Sequence, residues 1–540
     1  MCNCSAPQSV ISGVVIDNNG PVAGAVVRIQ NSEISTISGG DGTFALPSLS
    51  SEDPVTITAW ASGYYIVAAE EIANPGTSDI EIVLVKHADY DESDYEWISA
   101  FTSANDPSNC QNCHSQPDDP SSRLPFDEWQ NDAHANSFSS PRYLTMYTGT
   151  DISGNQSPPT RKGYNRDYGH FPLPPDRTRP YFGPGYQLDF PGTAGNCAAC
   201  HAPGAAIDLP YNIDPTHLDD IGTEGITCDF CHKVWDVRFD ESGLPYPNMP
   251  GVLSFEFRRP AEGHQFFAGP YDDVAPGEDT FSPLQKESQY CAPCHFGVFW
   301  DTLIYNSFGE WFESPYSDPV SGQTCQDCHM PAGFTDHFAR LEEGGLVRDP
   351  MTIFSHLMPG AADEGFLKNA VKVFADAGRN GDAITVTVEI FNNNTGHHIP
   401  TDSPLRHMIL LVEVTDSRGN QLAQIDGPTI PEWGGVGDPT QGYYSGLPGT
   451  AYAKILQELW TEVSPSGSYW NPTRIVSDNR IAAMDSDTTT YTFLAPDRGE
   501  VVIGVRLIFR RAFIELMDQK GWDVPDIQMA YESIRLTHEE

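Results

Sequence analysis

Five times the chain places two cysteines three positions apart with a histidine directly after the second. The copies are Cys110/Cys113/His114, Cys197/Cys200/His201, Cys228/Cys231/His232, Cys291/Cys294/His295 and Cys325/Cys328/His329. Two thiols at this spacing can add across the two vinyl groups of a haem and fix it covalently. The adjacent imidazole then reaches the iron from one side. Ten of the twelve cysteines are used in this way. Zinc is the competing chemistry, since a Cys-x-x-Cys pair is half of a ribbon site. Zinc gives no reason for a histidine in the same place five times. Cysteines three apart are also poor partners for long-loop disulfides. The pattern therefore predicts five haem c groups with iron, held by these ten thioethers and five proximal imidazoles.

Eleven further histidines remain for the opposite faces of the irons. Five would suffice, so ligation by two imidazoles is the default expectation, and a thioether from Met330 or Met358 is the lesser one. His134 follows the helix start at Trp129–Gln130. His264 precedes the aromatic run Phe266–Phe267, and His356 is flanked by Ile353–Phe354 and Leu357–Met358. These three, with His217, His337 and the adjacent His397 and His398, are the distal candidates. In the last pair one ring ligates and the other contacts a propionate or backbone. His170 ranks lower, and His87, His407 and His538 are expected to be structural or exposed. Arg123, Arg142, Arg166, Arg259 and Lys233 are scarce cations in an acidic chain, and each is expected on a propionate or in a surface ion pair.

The chain has 540 residues, 74 acidic and 30 basic, and a formal charge of −44. Such a field argues against nucleic acid or an anionic membrane surface as a partner. No stretch is apolar enough to span a bilayer. Covalent haem attachment places the chain outside the cytoplasm: periplasm, cell surface or medium. No signal peptide is visible at the start. Cys2 and Cys4 remain for pairing between chains, for a lipid anchor near Cys2, or as free thiols.

Three segments follow from the patterning. Residues 1–88 read as a small β-sandwich, with strand runs at 10–16, 22–29 and 55–60 separated by Asp/Asn/Gly/Pro turns. The acidic stretch Asp89–Asp94 reads as a solvated connector. Residues 89–365 carry all five motifs on weakly periodic, Pro- and Gly-rich sequence. There macrocycles supply the apolar core, with short helices and long loops. Short gaps make the second and third motifs neighbours, and likewise the fourth and fifth. Residues 366–540 return to alternating strands at 383–390, 408–414 and 501–508, a hairpin at 417–420 and a helix near 511–520, read as a second β-sandwich.

The order Gly13-Val14-Val15…Gly20-Pro21-Val22…Asp41-Gly42…Gly63-Tyr64 resembles the carboxypeptidase-regulatory-like domain, which implies a spacer or docking module. The central segment resembles the multihaem cytochromes c related to tetrahaem carriers and to hydroxylamine oxidoreductase. That resemblance rests on Trp129…His134-Ala135…Ser137, Gly225-Ile226-Thr227 before Cys228, Cys328-His329-Met330-Pro331, Ser355-His356 and Gly396–Thr401. It implies haems stacked in close pairs, with ligands drawn from distant loops.

Electron transfer through saturated irons is the leading functional expectation. Its partners would be a redox protein or an extracellular mineral acceptor, and the chain could self-associate into a filament. The alternative is an oxidoreductase acting on a small nitrogen or sulfur oxyanion at one open haem. A third reading, an adhesive protein using haem as scaffold, leaves five haems unexplained.

Overall fold

The computed structural model describes residues 10–47, 53–103, 109–118, 123–218 and 220–537. The readings on Cys2, Cys4 and His538 lie outside these residues. The molecule is rich in small sheets and loops, and its helices are short. No described helix is long and apolar enough to cross a membrane.

The N-terminal segment is built from alternating apolar residues on strands that turn at Gly, Asp and Asn. One sheet sets Ile11–Asp17 between Gly20–Pro21 and Thr43–Leu46, with Ile80–Val83 pairing parallel to Ile11–Asp17. The other runs Ser35–Ile37, Val26–Ile29, Ile57–Trp60, Val67–Ala68. Ile11, Val15, Phe44 and Leu46 of the first sheet share one buried cluster with Val27, Ile29 and Ile57 of the second. The second strand is shorter than the sequence suggests, because Gly24, in the left-handed region, turns the chain at its start.

This segment is tied to the centre by buried polar contacts. Asp272 accepts from the Asn31 amide (3.2 Å), the Thr58 hydroxyl (3.2 Å) and Arg348 (3.4 Å). The connector is not simply solvated. Asp91 forms a two-point pair with the buried Arg259, which also binds Asp208. A planar guanidinium matches two carboxylates, so the acidic run docks instead of floating.

The C-terminal segment has a five-stranded antiparallel sheet. Its order is Thr473–Asp478, Gly449–Glu458, His407–Asp416, Val501–Arg510, Ile527–Leu536. A four-stranded sheet runs Lys372–Asn380, Ala383–Phe391, Ser486–Leu494, Gln424–Asp426. Both contribute to one core that includes Val386, Val388, Leu410, Val412, Tyr491 and Val505. The helix Ile514–Lys520 welds this segment to the centre. The fully buried Lys520 donates to the carbonyls of Thr145 (2.9 Å), Thr150 (2.9 Å) and Pro184 (2.5 Å).

Candidate functional site

Four of the five motifs are themselves single helical turns: Cys110–His114, Ala198–His201, Cys228–His232 and Cys325–His329. Thr227 and Thr324 cap two of them, their hydroxyls accepting the amides of Phe230 and Asp327 (3.2 Å each). A helical turn sets the two thiols and the imidazole on neighbouring positions of one short segment. The fourth motif follows the 3-10 turn Ser288–Tyr290 and is not α-helical.

All ten cysteines and five histidines line one continuous cavity of about 1740 Å³. That exceeds the roughly 300–1,000 Å³ of an ordinary small-molecule pocket. Thiols of different motifs meet there. Cys110 contacts Cys228, Cys200 contacts Cys294, and Cys291 contacts Cys325. The fourth motif thus touches both the second and the fifth. The fourth–fifth proximity matches the chain spacing. The first–third and second–fourth contacts are set by loops and could not be read from gap lengths.

Four of the five motif histidines are oriented alike. Nδ1 of His114 lies 2.7 Å from the Phe338 carbonyl, His201 3.1 Å from Ser137, His232 2.7 Å from Ala268 and His329 2.7 Å from Pro359. His295 instead has the Asp402 carboxylate at 3.7 Å. A partner on Nδ1 fixes the tautomer and leaves Nε2 for a metal. Burial lowers the pKa of His114, His201 and His232, and takes that of His329 down to about 4, so these imidazoles are neutral and able to ligate. Burial also pulls His295 down, but Asp402 outweighs it and the net shift is upward.

Three spare histidines line the cavity: His134, His356 and His397. The ring centres of His134 and His295 are 6.3 Å apart, and those of His397 and His329 are 6.4 Å apart. Two imidazoles sharing one metal through bonds of about 2.0–2.1 Å have ring centres roughly 6.3 Å apart, each centre about 1.1 Å behind its nitrogen. Both separations equal the span of two imidazoles on one metal. His356 lies within electrostatic reach of His232 and His114, and burial takes its pKa to about 4. Its Nδ1 is buried with no hydrogen-bond partner of good geometry among the described residues.

Loop contacts place these rings. The Ile226 amide donates to the His134 carbonyl (3.0 Å), and the Trp129 indole donates to the Ile226 carbonyl (2.8 Å). Gly225, at φ 71°, lets the two loops touch, since a Cβ there would lie 2.5 Å from the His134 carbonyl oxygen. The His356 amide donates to the buried Glu128 (2.7 Å). Glu310, buried beside Arg480 (2.7 Å), accepts from the His398 amide (3.2 Å) and fixes the His397 loop.

The other candidates lie elsewhere. His217 and His264 are 80% and 63% exposed and face Asp214 and Glu278. Neither lines the cavity, because the aromatic run after His264 splits: Phe266 packs on Tyr65 and Trp235, and only Phe267 faces inward. His337 uses both nitrogens, on Asp336 (2.6 Å) and Gln116 (3.1 Å). His398 points to Glu310 (3.4 Å), outside the cavity. His170 is exposed. His87 sits among Tyr65, Trp235 and Phe266, and His407 stacks on Phe513 at 4.9 Å. Met330 and Met358 both line the cavity.

The expected cations are mostly taken. Arg259 binds Asp91 and Asp208, Lys233 binds Asp229, and Arg166 is paired with Asp167 at the surface. Arg123 does not line the cavity, whereas Arg142 does, with Arg406, Arg511 and Lys286, which sequence reasoning missed. Burial and the neighbouring Arg511 and Arg406 lower the Arg142 pKa to about 10. Three guanidiniums gathered inside so acidic a chain fit anionic groups brought in from outside it, such as propionates.

One wall residue gives a pH test. One buried oxygen of Asp279 has no hydrogen-bond partner among the described residues, and burial, aided by Asp273, raises its pKa to about 7. The folded chain then keeps a proton that the unfolded chain releases near pH 4. That stabilisation is complete below the unfolded value and is lost as pH rises through 7. Asp279→Asn is expected to gain on wild type by on the order of 3 kcal/mol between pH 5 and pH 8, read from urea midpoints.

Residues 10–85 match the model of the carboxypeptidase regulatory-like domain family. The match is confined to this N-terminal segment. No curated protein matches the chain. Among solved structures, the fold is similar to a penta-haem cytochrome c552 from Thermochromatium tepidum. The TM-score is 0.53 at 18% identity, covering 82% of this chain and 100% of that one. At this identity the likeness shows shared fold. A type II cohesin–X-dockerin complex from Acetivibrio cellulolyticus aligns over 15% of this chain and 58% of its own, at 13% identity and TM-score 0.14, and carries no argument.

Proposed function

We propose that the chain is an extracytoplasmic electron-transfer protein holding five covalent haem c groups in its central cavity. Two β-sandwiches, residues 1–88 and 366–540, flank the haem-bearing segment 89–365. The opposed imidazole pairs at 6.3 and 6.4 Å carry this reading, because they reproduce the spacing of two rings on one metal. Thioethers would come from the ten motif cysteines. Proximal ligands would come from His114, His201, His232, His295 and His329, and distal ligands from His134 on the fourth site, His397 on the fifth and His356 on the third or first. When bound, haem supplies a one-electron couple. The chain contributes ligand choice, burial and spacing, which set potential and rate. Among the described residues, no group of three or more His, Cys, Asp or Glu is arranged to hold a bare metal ion, so the zinc reading gains nothing.

The partners we propose are redox donors and acceptors, a mineral among the latter. Filament assembly and a lipid near Cys2 are further proposals.

The EPR spectrum tests the ligand assignments. His134 and His295 are inclined at 69°, and His329 and His397 at 21°. The oxidised protein is expected to show one strongly anisotropic low-spin signal, from near-perpendicular rings, and one resolved rhombic signal, from near-parallel rings. A spectrum with neither would refute both pairs.

A second reading rests on the second motif. None of the three cavity-lining spare histidines pairs with His201, whose ring stacks on Tyr143 at 4.0 Å. Tyr305 and Tyr469 lie 5.3 Å apart nearby, and Arg142, Arg406 and Arg511 line the same cavity. Hydroxyls and guanidiniums beside an open metal position suit a small oxyanion. A high-spin component that shifts on adding nitrite supports this reading, and an all-low-spin spectrum contradicts it.

A further inference from the structure

Eight histidines line the cavity, and their outer nitrogens are not treated alike. Nδ1 of His114, His201, His232, His329 and His397 lies on backbone carbonyls, and that of His356 has no hydrogen-bond partner among the described residues. Only the facing pair His134 and His295 meets carboxylates. Asp132 lies 2.6 Å from Nδ1 of His134, and Asp402 lies 3.7 Å from Nδ1 of His295.

Neither carboxylate is there by accident of the surface. Asp132 is 5% exposed and also accepts the His134 amide at 2.8 Å, which fixes its direction. Asp402 is held with φ at 66°, a left-handed conformation uncommon for a residue with a side chain. Its neighbouring cation, Arg406, is 3.6 Å away.

We propose that Asp132 and Asp402 together hold the redox potential of the fourth motif's site below that of the other two sites with facing imidazoles, the third or first and the fifth. The proposal rests on the haem reading above. An imidazole N–H directed at a carboxylate gains imidazolate character and becomes a stronger donor to the metal. A buried negative charge near the iron also favours the ferric over the ferrous state, and burial reduces the screening of that charge. Two carboxylates, one behind each axial ring, act in the same direction. Asp132 is closer and has no cation within ion-pairing distance among the described residues. Arg406 offsets part of the Asp402 charge. Asp132 is therefore the larger contributor.

The position of this site gives the tuning its consequence. The fourth motif touches the second through Cys294 and Cys200, and the fifth through Cys291 and Cys325. A site at this crossing with a potential below the fifth stays oxidised while the fifth is reduced, so an electron passing from the fifth to the fourth moves uphill.

The experiment is a mediated redox titration of the haem-loaded full chain, followed by EPR, on wild type, Asp132→Asn and Asp402→Asn. Asn tolerates the left-handed conformation at 402, so the second variant keeps the backbone. The strongly anisotropic signal is expected to titrate below the rhombic signal in wild type. It is expected to move upward in both variants, further in Asp132→Asn, while the rhombic signal keeps its midpoint in Asp132→Asn and moves less than the anisotropic signal in Asp402→Asn, since Asp402 also acts on His397. If all haems are present and the anisotropic signal titrates at or above the rhombic one, or Asp132→Asn leaves it unmoved, the tuning is wrong and the haem reading stands. A chain without covalent haem overturns both.

Discussion

Replacing Cys291 and Cys294 together by Ser is expected to destabilise the whole central segment, beyond the loss of one chromophore. The fourth motif is the crossing of the thiol contacts, touching both the second and the fifth. Its Ala292 is fully buried in a cluster with Phe296, Phe308 and Trp311. Without thioether anchors the macrocycle is lost and the cavity wall faces a void. Voids of this kind cost the lost transfer energy plus a cavity term, here on the order of 5 kcal/mol or more, comparable to a typical total stability. Haem staining and intact mass are expected to show four haems at most, and thermal unfolding a large downward shift. The same change at Cys325 and Cys328 is expected to be milder, because the fifth motif shares a thiol contact with the fourth alone. Equal, small effects at both places would contradict the central role given to the fourth motif.

The second large effect is spectroscopic. His397→Ala is expected to convert one haem from low-spin to high-spin, remove the rhombic EPR signal and open a position that binds cyanide. His398→Ala is expected to leave the spectrum unchanged, since its ring lies beside Glu310 and outside the cavity. The two residues are adjacent, so a general disturbance of the loop would affect both variants. An unchanged spectrum in His397→Ala would overturn the assignment of the fifth site.

The motif residues that line the cavity were legible because their types recur at fixed spacing. The spare histidines that join them were only partly so. His134, His356 and His397 reach the cavity because loops held by Trp129, Glu128 and Glu310 carry them there, and those contacts span long stretches of chain. His264 looked suitable by its aromatic neighbours, yet sequence adjacency does not tell which way a loop residue faces. The strands at 383, 408 and 501 announced themselves by alternation. Lys372–Asn380 did not, because its inward Val373, Ala375 and Ala377 are followed by Arg379 and its largest apolar residue, Phe374, faces outward, which blurs the alternation. The docking of Asp91 on Arg259 was hidden for a similar reason: a charge run reads as solvated until its partner, distant in sequence, is known.

The most direct test of the account is the intact mass of the chain, denatured, after expression with haem-attachment machinery. The account predicts the polypeptide plus five haems that survive denaturation. The bare polypeptide mass, or a chain carrying zinc in place of porphyrin, would contradict it.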